Sequence, residues 1–402
     1  MTALALLNLE AQSARVSAQL DARPELGSLW RRLVAISEAS ANLSMEDIPV
    51  PEQDILMPEL DSAMITGDPQ SARIASDIHN FLLRPGRIFE EPYEVFDRAR
   101  DAGRLTSIVD EDKGGRVARL SYEEEIAWSA AKNDFELLVR KVLRGDAPIL
   151  FRLIAFAGAL TQILPERVPI TERLLFMSAE SALRREDCLS DRMIGFRTRE
   201  KDMRLTAQWT MTPALALSRS GFRAWSPASE MGSKDLSERL LRALKFNVGR
   251  LGQLHSWMIG LEAFKGKHGK SRRQDLAKLI LTCPIISADI AADRLGMHPR
   301  SVRGLIEDAV ADGHLNLMTQ RRNYRLFAIP ALGEMIRERP AFRAPRKIIQ
   351  PAKPDAEEYH PMKGHNRPGN EEAISSAAEE LDRAMAKADQ ILAKYKRDIP
   401  LE

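Results

Sequence analysis

The stretch RRQDLAKLI (272–280), SADIAADRL (287–295), GMH (296–298) and PRSVRGLIEDAVA (299–311) decides the fold of the C-terminal part of this chain. Its helical spacing predicts three short helices, and Gly296 offers the left-handed backbone that a sharp turn between the second and the third helix needs. Three short helices with such a turn follow the helix-turn-helix plan. The sequence therefore predicts a helix-turn-helix domain.

The side chains of this stretch suit that plan. Ala291 and Ala292 place small groups where the second helix crosses the third, and Val302 and Leu305 supply the buried face of the third helix. Pro299 stands in the first turn of that helix, where a missing N–H group costs nothing. The third helix is therefore the expected recognition helix.

A wing is predicted directly after these helices. The apolar pattern changes from helical to period two over 314–319 and again over 324–329, with QRRN (320–323) between the two runs. Period two around a polar turn is typical of a β-hairpin. The region 265–335 is therefore predicted to be a winged helix-turn-helix domain.

In this architecture the recognition helix lies in the major groove of double-stranded DNA. Its exposed early turns would present Arg300, Ser301 and Arg303 to the bases, and the planar fork of arginine can bond guanine O6 and N7 together. Other basic side chains, on the wing and ahead of the first helix, are better placed for phosphates. These are Lys265, Lys267, Lys270, Arg272, Arg273, Arg321, Arg322 and Arg325.

The distribution of charge also points to an anionic partner. The 59 Lys and Arg residues nearly cancel the 57 Asp and Glu residues, so the formal net charge is only +2. Residues 1–130 nevertheless carry 13 basic and 23 acidic side chains, whereas residues 264–347 carry 17 basic and 8 acidic ones. This asymmetry predicts that the basic segment faces DNA and that the acidic N-terminal part faces away from it.

Several other classes of protein are not supported by the sequence. The two cysteines, Cys188 and Cys283, lack the spacing of a disulfide scaffold or a zinc site, and the seven histidines form no metal-binding motif. GKS (269–271) resembles the end of a phosphate-binding loop, but Phe264 stands where that loop needs a glycine. We therefore expect no metal, no cofactor and no catalytic residue.

The whole chain is predicted to be mainly α-helical, with a small hairpin at 105–120. The longest apolar stretch, 149–164, is too short to span a bilayer and contains Arg152, so we expect a cytoplasmic, nucleoid-associated protein without a membrane segment. The expected regions are an acidic, mostly helical N-terminal region (1–120), a helical domain (121–264), the winged domain (265–335), a proline-rich linker (336–370) and an amphipathic C-terminal helix (371–402).

Part of the chain, from about 205 to 330, resembles a known group of proteins. The segments LALSRSGFR (215–223) and TQRRNYR (319–325) and the basic joint 265–273 resemble uncharacterised bacterial proteins in which a helical domain of unknown function precedes a helix-turn-helix DNA-binding domain. The resemblance implies a DNA-binding C-terminal domain and assigns no activity to the rest of the chain. His298 at the helix cap and Gly304 inside the recognition helix depart from the usual pattern, and Gly304 weakens that helix by about 1 kcal/mol relative to Ala or lets a backbone approach closely.

Some of those proteins are described as Fic-like, and residues 39–60 resemble their N-terminal part. Fic enzymes transfer nucleotides with a His-x-Phe-x-acid-Gly-Asn-Gly-Arg loop. The sequence HPMKGHNR (360–367) matches this loop in part, but it lacks the acid and the second glycine and lies in the proline-rich linker. A Fic-like nucleotide transferase stays an alternative, as does a winged helix that binds protein.

Together these features predict a DNA-binding protein that acts as a transcriptional regulator or a replicon-borne accessory factor. Specific DNA sites usually engage two such domains, so we expect a homodimer. One candidate interface is a heptad pattern in the last helix, and the other is the long amphipathic helix predicted at 234–264. The apolar face of the long helix includes Leu236, Leu240, Leu244, Val248, Leu251 and Leu254.

Overall fold

The N-terminal helices begin where the sequence supplies start signals. Pro24 and Pro69 occupy first turns, where a missing N–H group is not needed, and the Asp68 side chain accepts a hydrogen bond of 2.7 Å from the Ser71 N–H. A hydrogen bond from the Ser71 hydroxyl lowers the pKa of Asp68. The elements are α1 (Thr2–Ala22), α2 (Pro24–Ser44), a short 3-10 helix (Glu52–Leu56), α3 (Met57–Leu60), α4 (Pro69–Leu83) and α5 (Pro92–Gly103).

The described part of the region 121–264 is mainly helical. The apolar helix α7 is buried nearly all round, as expected from its composition, and Gln162 is its one exposed residue. The elements are α6 (Tyr122–Leu138), which continues into a π-helical turn (Val139–Leu143), then α7 (Ile149–Ile163), α8 (Pro169–Ser190), α9 (Pro213–Ser218) and the 35-residue helix α10 (Glu230–Phe264).

The computed structural model describes residues 2–103, 122–190, 207–264, 272–318 and 325–332, except 61, 63, 64, 166, 167, 220 and 222, together with residues 375, 379, 383 and 386. Over these residues the fold is mainly α-helical with one small antiparallel sheet, so the predicted fold class is confirmed. The predicted hairpin at 105–120, the linker at 336–370 and the heptad positions of the last helix lie outside the described residues. The four described positions in that last segment are helical and exposed.

One continuous apolar core joins the helices on both sides of residue 120. Helix α1 packs along α10, α2 packs on α4 and α9, and α5 and α7 both pack on α8. The crossing of α5 and α8 is close enough that a Cβ atom on Gly103 would lie 2.4 Å from Thr171 Oγ1. The predicted apolar face of α10 is buried except at Val248, which is 38% exposed, so the inclusion of Val248 in that face was wrong.

A backbone segment, residues 207–215, runs through the interior between these helices. Trp209 is fully buried, lies 6.1 Å from the Trp30 ring and donates a hydrogen bond of 2.8 Å from Nε1 to the Leu82 carbonyl. The Arg31 Nε group donates to the Trp209 carbonyl at 3.2 Å. The segment belongs to a part of the sequence whose structure the residue pattern did not predict.

Two buried glutamates accept hydrogen bonds from four N–H groups of this segment. Glu38 on α2 accepts hydrogen bonds from the backbone N–H groups of Ala214 and Leu215 at 2.8 and 2.9 Å. Glu180 on α8 accepts from the N–H groups of Thr210 and Met211 at 2.9 and 3.1 Å. Since a buried N–H group without an acceptor costs about 1–3 kcal/mol, these two carboxyl groups hold the segment inside the fold.

Glu38 is the buried acid whose proton affinity changes most clearly. Burial raises the pKa of Glu38 to about 7, although the Leu215 and Ala214 N–H groups and the charge of Arg173 act in the opposite direction. The ordinary value is 4.5. Between these two values the folded chain holds a proton that the unfolded chain has lost, so the contribution of Glu38 to stability is complete below pH 4.5 and disappears as the pH rises through about 7.

The variant Glu38→Gln tests this pH dependence. Between pH 5 and pH 8 we expect the wild-type chain to lose about 3 kcal/mol of stability through Glu38, and the variant to lack this term because its amide does not titrate. The measurement is the free energy of unfolding in urea at both pH values. Burial lowers the pKa of His79 to about 4, which acts in the opposite direction, so the difference between wild type and variant is the quantity to compare.

The matched control is Glu25→Gln, which removes an exposed carboxyl group from the same helix. It should leave the pH dependence of unfolding as it is in the wild type. A Glu38→Gln chain with the wild-type pH dependence would show that the buried carboxyl group does not titrate in this range.

Candidate nucleic-acid interface

The elements between residues 272 and 328 have the order expected of a winged helix-turn-helix, with the tip of the hairpin, 319–324, outside the described residues. The strands make one antiparallel sheet in the order β1-β3-β2, in which Phe327 on the central strand pairs with both Ile286 and Leu317. The order of the elements is helix, strand, two helices and hairpin. The sequence predicts this architecture except for the first strand, which was not predicted. The elements are α11 (Arg272–Thr282), β1 (Ile285–Ser287), α12 (Ala288–Leu295), α13 (Pro299–Ala311), β2 (Asn316–Leu317) and β3 (Leu326–Ala328).

The turn between α12 and α13 has the predicted geometry. Gly296 has φ 59° and ψ 41°, the left-handed conformation that ends α12. The Ser287 hydroxyl accepts a hydrogen bond of 3.1 Å from the Ile290 N–H and so caps the start of α12. His298 caps α13, because its Nδ1 atom accepts from the Arg300 N–H at 3.2 Å. An imidazole therefore takes the place of the usual hydroxyl.

The packing of α13 confirms most of the predicted contacts. Ala291 on α12 and Val302 on α13 are fully buried. Leu305 is only half-buried, so its assignment to the buried face was wrong in part, and Ile306 and Ala309 complete that face. The reason is the helical period, since residues four and seven positions after Val302 share its face more closely than the residue three positions after it.

The three predicted base-reading residues lie on the surface. Arg300, Ser301 and Arg303 are all exposed, and they lie in the first two turns of α13. Glu307 and Asp308, in the later half of the helix, are exposed as well. The exposed surface of α13 is therefore basic at its N-terminal end and acidic toward its C-terminal end.

This order of charges is unfavourable for the helix itself. The N-terminus of a helix carries a partial positive charge, which favours acidic side chains there and basic ones at the C-terminus, by about 0.3–1 kcal/mol each. Helix α13 has no acidic residue in its first turn and no basic residue in its last. The arginines at its N-terminal end therefore add to the helix dipole and create a surface that attracts anions.

The predicted phosphate-binding residues are only partly described. Arg272 at the start of α11 and Arg325 just before β3 are exposed. Arg273 is engaged within the domain, because its NH2 group contacts Asp308 Oδ2 at 2.7 Å and its guanidinium lies 5.2 Å from the Phe264 ring centre. Arg273, which lies on α11, therefore contacts both α13 and α10. The remaining five, Lys265, Lys267, Lys270, Arg321 and Arg322, lie outside the described residues.

His314 is one of the residues through which the winged domain contacts the helical body. The Trp257 Nε1 group on α10 donates a hydrogen bond of 3.2 Å to the His314 carbonyl, and the Phe264 and His314 ring centres lie 5.1 Å apart. Burial lowers the pKa of His314, which favours its neutral form. Sequence reasoning did not single out this contact. The position of α13 relative to the body therefore depends on the C-terminal end of α10 and on the packing of α11 against α2.

Among the described residues no cluster of His, Cys, Asp and Glu side chains has the composition of a metal site, and none of the described helices has the length and apolar character needed to cross a bilayer. HPMKGHNR (360–367) lies outside the described residues. No known protein-family model matches the chain, and no curated protein matches it.

The turn at Gly296 is open to a direct test. A Cβ atom there would meet no other atom within 4 Å, so any loss on substitution comes from the backbone conformation alone. We expect Gly296→Ala to cost about 1–2 kcal/mol, because a side chain disfavours the left-handed region. The measurement is the free energy of unfolding of the full chain.

Gly296→Asn is the control for this test, because asparagine tolerates the left-handed region better than alanine does. It should cost clearly less stability than Gly296→Ala. Equal losses for the two variants would contradict a backbone origin.

Proposed function

We propose that this chain binds double-stranded DNA, with α13 in the major groove. The observation that carries the proposal is the exposed N-terminal half of α13, where Arg300, Ser301 and Arg303 lie together in a winged helix-turn-helix domain. In this architecture the early turns of the recognition helix contact base edges. The arginines supply the bidentate donors that guanine recognition requires, and the serine can bond to several bases.

The electrostatics of the domain support the same proposal. The reversed order of charges on α13 weakens the isolated helix, and an anion near its N-terminal end would offset that cost. DNA phosphates supply such anions on both sides of the major groove. The acidic residues Glu307 and Asp308 would then lie toward the outside of the groove, where the distance from the bases is greater.

The chain would act as a transcriptional regulator or a replicon-borne accessory factor, and it would bind as a homodimer. The two recognition helices of a symmetric dimer contact two half-sites. The separation of these half-sites is about 34 Å, which is one turn of DNA, or a multiple of that distance. Arg272 and Arg325 lie on the exposed surface of the same domain and would contact the phosphates beside each half-site.

The salt dependence of the affinity for DNA tests whether the chain binds DNA at all. The full chain should bind a fluorescent DNA duplex of random sequence, and its affinity should fall by roughly 10³-fold between 50 and 200 mM salt, because each phosphate contact releases bound counterions. The measurement is fluorescence anisotropy at four salt concentrations. Binding that ignores salt, or no binding at low salt, would remove DNA as the partner.

Substitutions of single arginines test the assignment of roles. After a preferred sequence has been selected from a random pool, Arg300→Ala and Arg303→Ala should each reduce the preference for that sequence by about 1–3 kcal/mol. Arg325→Ala should weaken binding to preferred and random DNA by the same factor, since phosphate contacts carry no sequence information.

The control for these variants is Arg242→Ala, which removes an exposed positive charge from the middle of α10. Position 242 is about 33 Å along the helix from its C-terminal end, so the substitution should leave DNA affinity unchanged. If all four variants lost affinity equally on both kinds of DNA, the charge of the chain rather than α13 would account for binding.

A further inference from the structure

Gly304 lies in the middle of the exposed surface of α13. Arg300 precedes it by four positions and Glu307 follows it by three, so both are its neighbours on the helix surface, whereas Arg303 lies about 100° further round the helix. Gly304, Arg300, Arg303 and Glu307 are all exposed. The missing side chain therefore leaves a shallow depression beside Arg300 and Glu307.

Three of the glycines within the described helices have a clear packing reason, whereas Gly249, Gly252 and Gly304 have none. A Cβ atom on Gly27 would lie 2.7 Å from the Leu20 carbonyl oxygen, and one on Gly232 would lie 1.9 Å from the Ser226 carbonyl oxygen. Gly103 is equally constrained at the crossing of α5 and α8. At these three positions any side chain would collide with the chain itself.

Gly304 has no such reason within the described part of the chain. A Cβ atom built on it would meet nothing within 4 Å. Its φ angle is not among the positive values, which among glycines occur at 86, 221, 296 and 313, so the backbone does not require glycine either. Alanine at this position would favour the helical state over the unfolded state by about fivefold. Within the described fold, glycine at 304 therefore only weakens the recognition helix.

We infer that Gly304 is a contact residue for DNA, at which the α13 backbone approaches the base-pair edges of the major groove within van der Waals distance. The inference rests on the proposed function and deepens it. Arg300 and Arg303 reach outward to base edges on one side of Gly304, and the depth to which they reach depends on how closely the helix axis approaches the groove floor. A Cβ atom at 304 would act as a spacer that lifts both of them.

The inference predicts opposite effects of one substitution. Gly304→Ala should raise the folding equilibrium constant about fivefold, because alanine favours the helix. The same variant should lower the affinity for the preferred DNA sequence on the order of 10-fold or more, because the added methyl group holds the bases away from Arg300 and Arg303. A glycine without a contact role would change stability and leave DNA affinity as it was.

Gly252→Ala is the matched control. Gly252 is exposed on α10, and a Cβ atom there also meets nothing within 4 Å. This variant should show the same gain in stability with unchanged DNA affinity. A loss of affinity in Gly252→Ala as large as that in Gly304→Ala would overturn the inference, because helix stabilisation rather than contact would then explain both.

A series of side chains of increasing size at position 304 completes the experiment. Binding of the full chain to the preferred duplex is measured by anisotropy for Gly304→Ala, Gly304→Ser and Gly304→Leu, with thermal unfolding recorded on the same samples. We expect affinity to fall in the order Gly, Ala, Ser, Leu while all four chains remain folded. Equal affinity of the wild type and Gly304→Leu would overturn the inference and leave the proposed function intact.

Failure of the proposed function has a different signature. A wild-type chain that binds no DNA at low salt would refute the proposed function, and the inference about Gly304 with it. A wild type that binds DNA specifically, together with a Gly304→Ala chain that binds equally well, would refute the inference alone.

Discussion

The interior backbone of residues 207–215 is the constraint on which the rest of the fold depends. Nonhelical backbone in a helical core exposes N–H groups that no neighbouring turn can satisfy, and each would cost about 1–3 kcal/mol without an acceptor. Glu38 and Glu180 supply the acceptors from two different helices. At α9, whose N-cap residue Thr212 makes no side-chain cap, the carboxyl group of Glu38 takes over the capping role from a distant part of the chain. The segment therefore connects α2 and α8 through polar bonds as well as through apolar contact.

The same segment fixes the long helix that leads to the winged domain. The Asn247 side chain on α10 donates to the Thr212 hydroxyl at 3.3 Å, and the Asn247 carbonyl accepts from Trp30 Nε1 at 3.1 Å. Trp30 in turn packs against Trp209 of the interior segment. From this anchor α10 continues without interruption to Phe264, where His314 of the winged domain packs against it. Because α11 also packs directly on α2, the orientation of the winged domain relative to the body follows from that contact together with α10.

Local signals in the sequence predicted the local structure, and contacts between distant residues were not predictable. Gly296 and Pro299 act through their own backbone, and the His298 cap spans two residues, so the turn could be read from the sequence. The acceptors of the interior segment could not be predicted in this way, since Glu38 lies 176 positions from Ala214. Strand β1 has only three residues and no alternation, because all three are buried. The ion pair between Arg273 and Asp308 joins two helices and was therefore not predictable from the sequence. For this reason Arg273 was predicted to contact phosphate, although it has a partner within the domain.

That pairing bears on how charge is used in the winged domain. Asp308 lies in the later half of α13, and its contact with Arg273 partly offsets its repulsion of any nearby phosphate. Glu307, which is exposed beside it, has no ion pair among the described residues, so the acidic end of α13 keeps a net negative charge. A polyanion is therefore attracted at the N-terminal end of the helix and repelled at the other. In the proposed complex with DNA, such a gradient would tilt the helix so that its first two turns enter the groove most deeply, because that orientation brings Arg300 and Arg303 into the groove and moves Glu307 away from the phosphates.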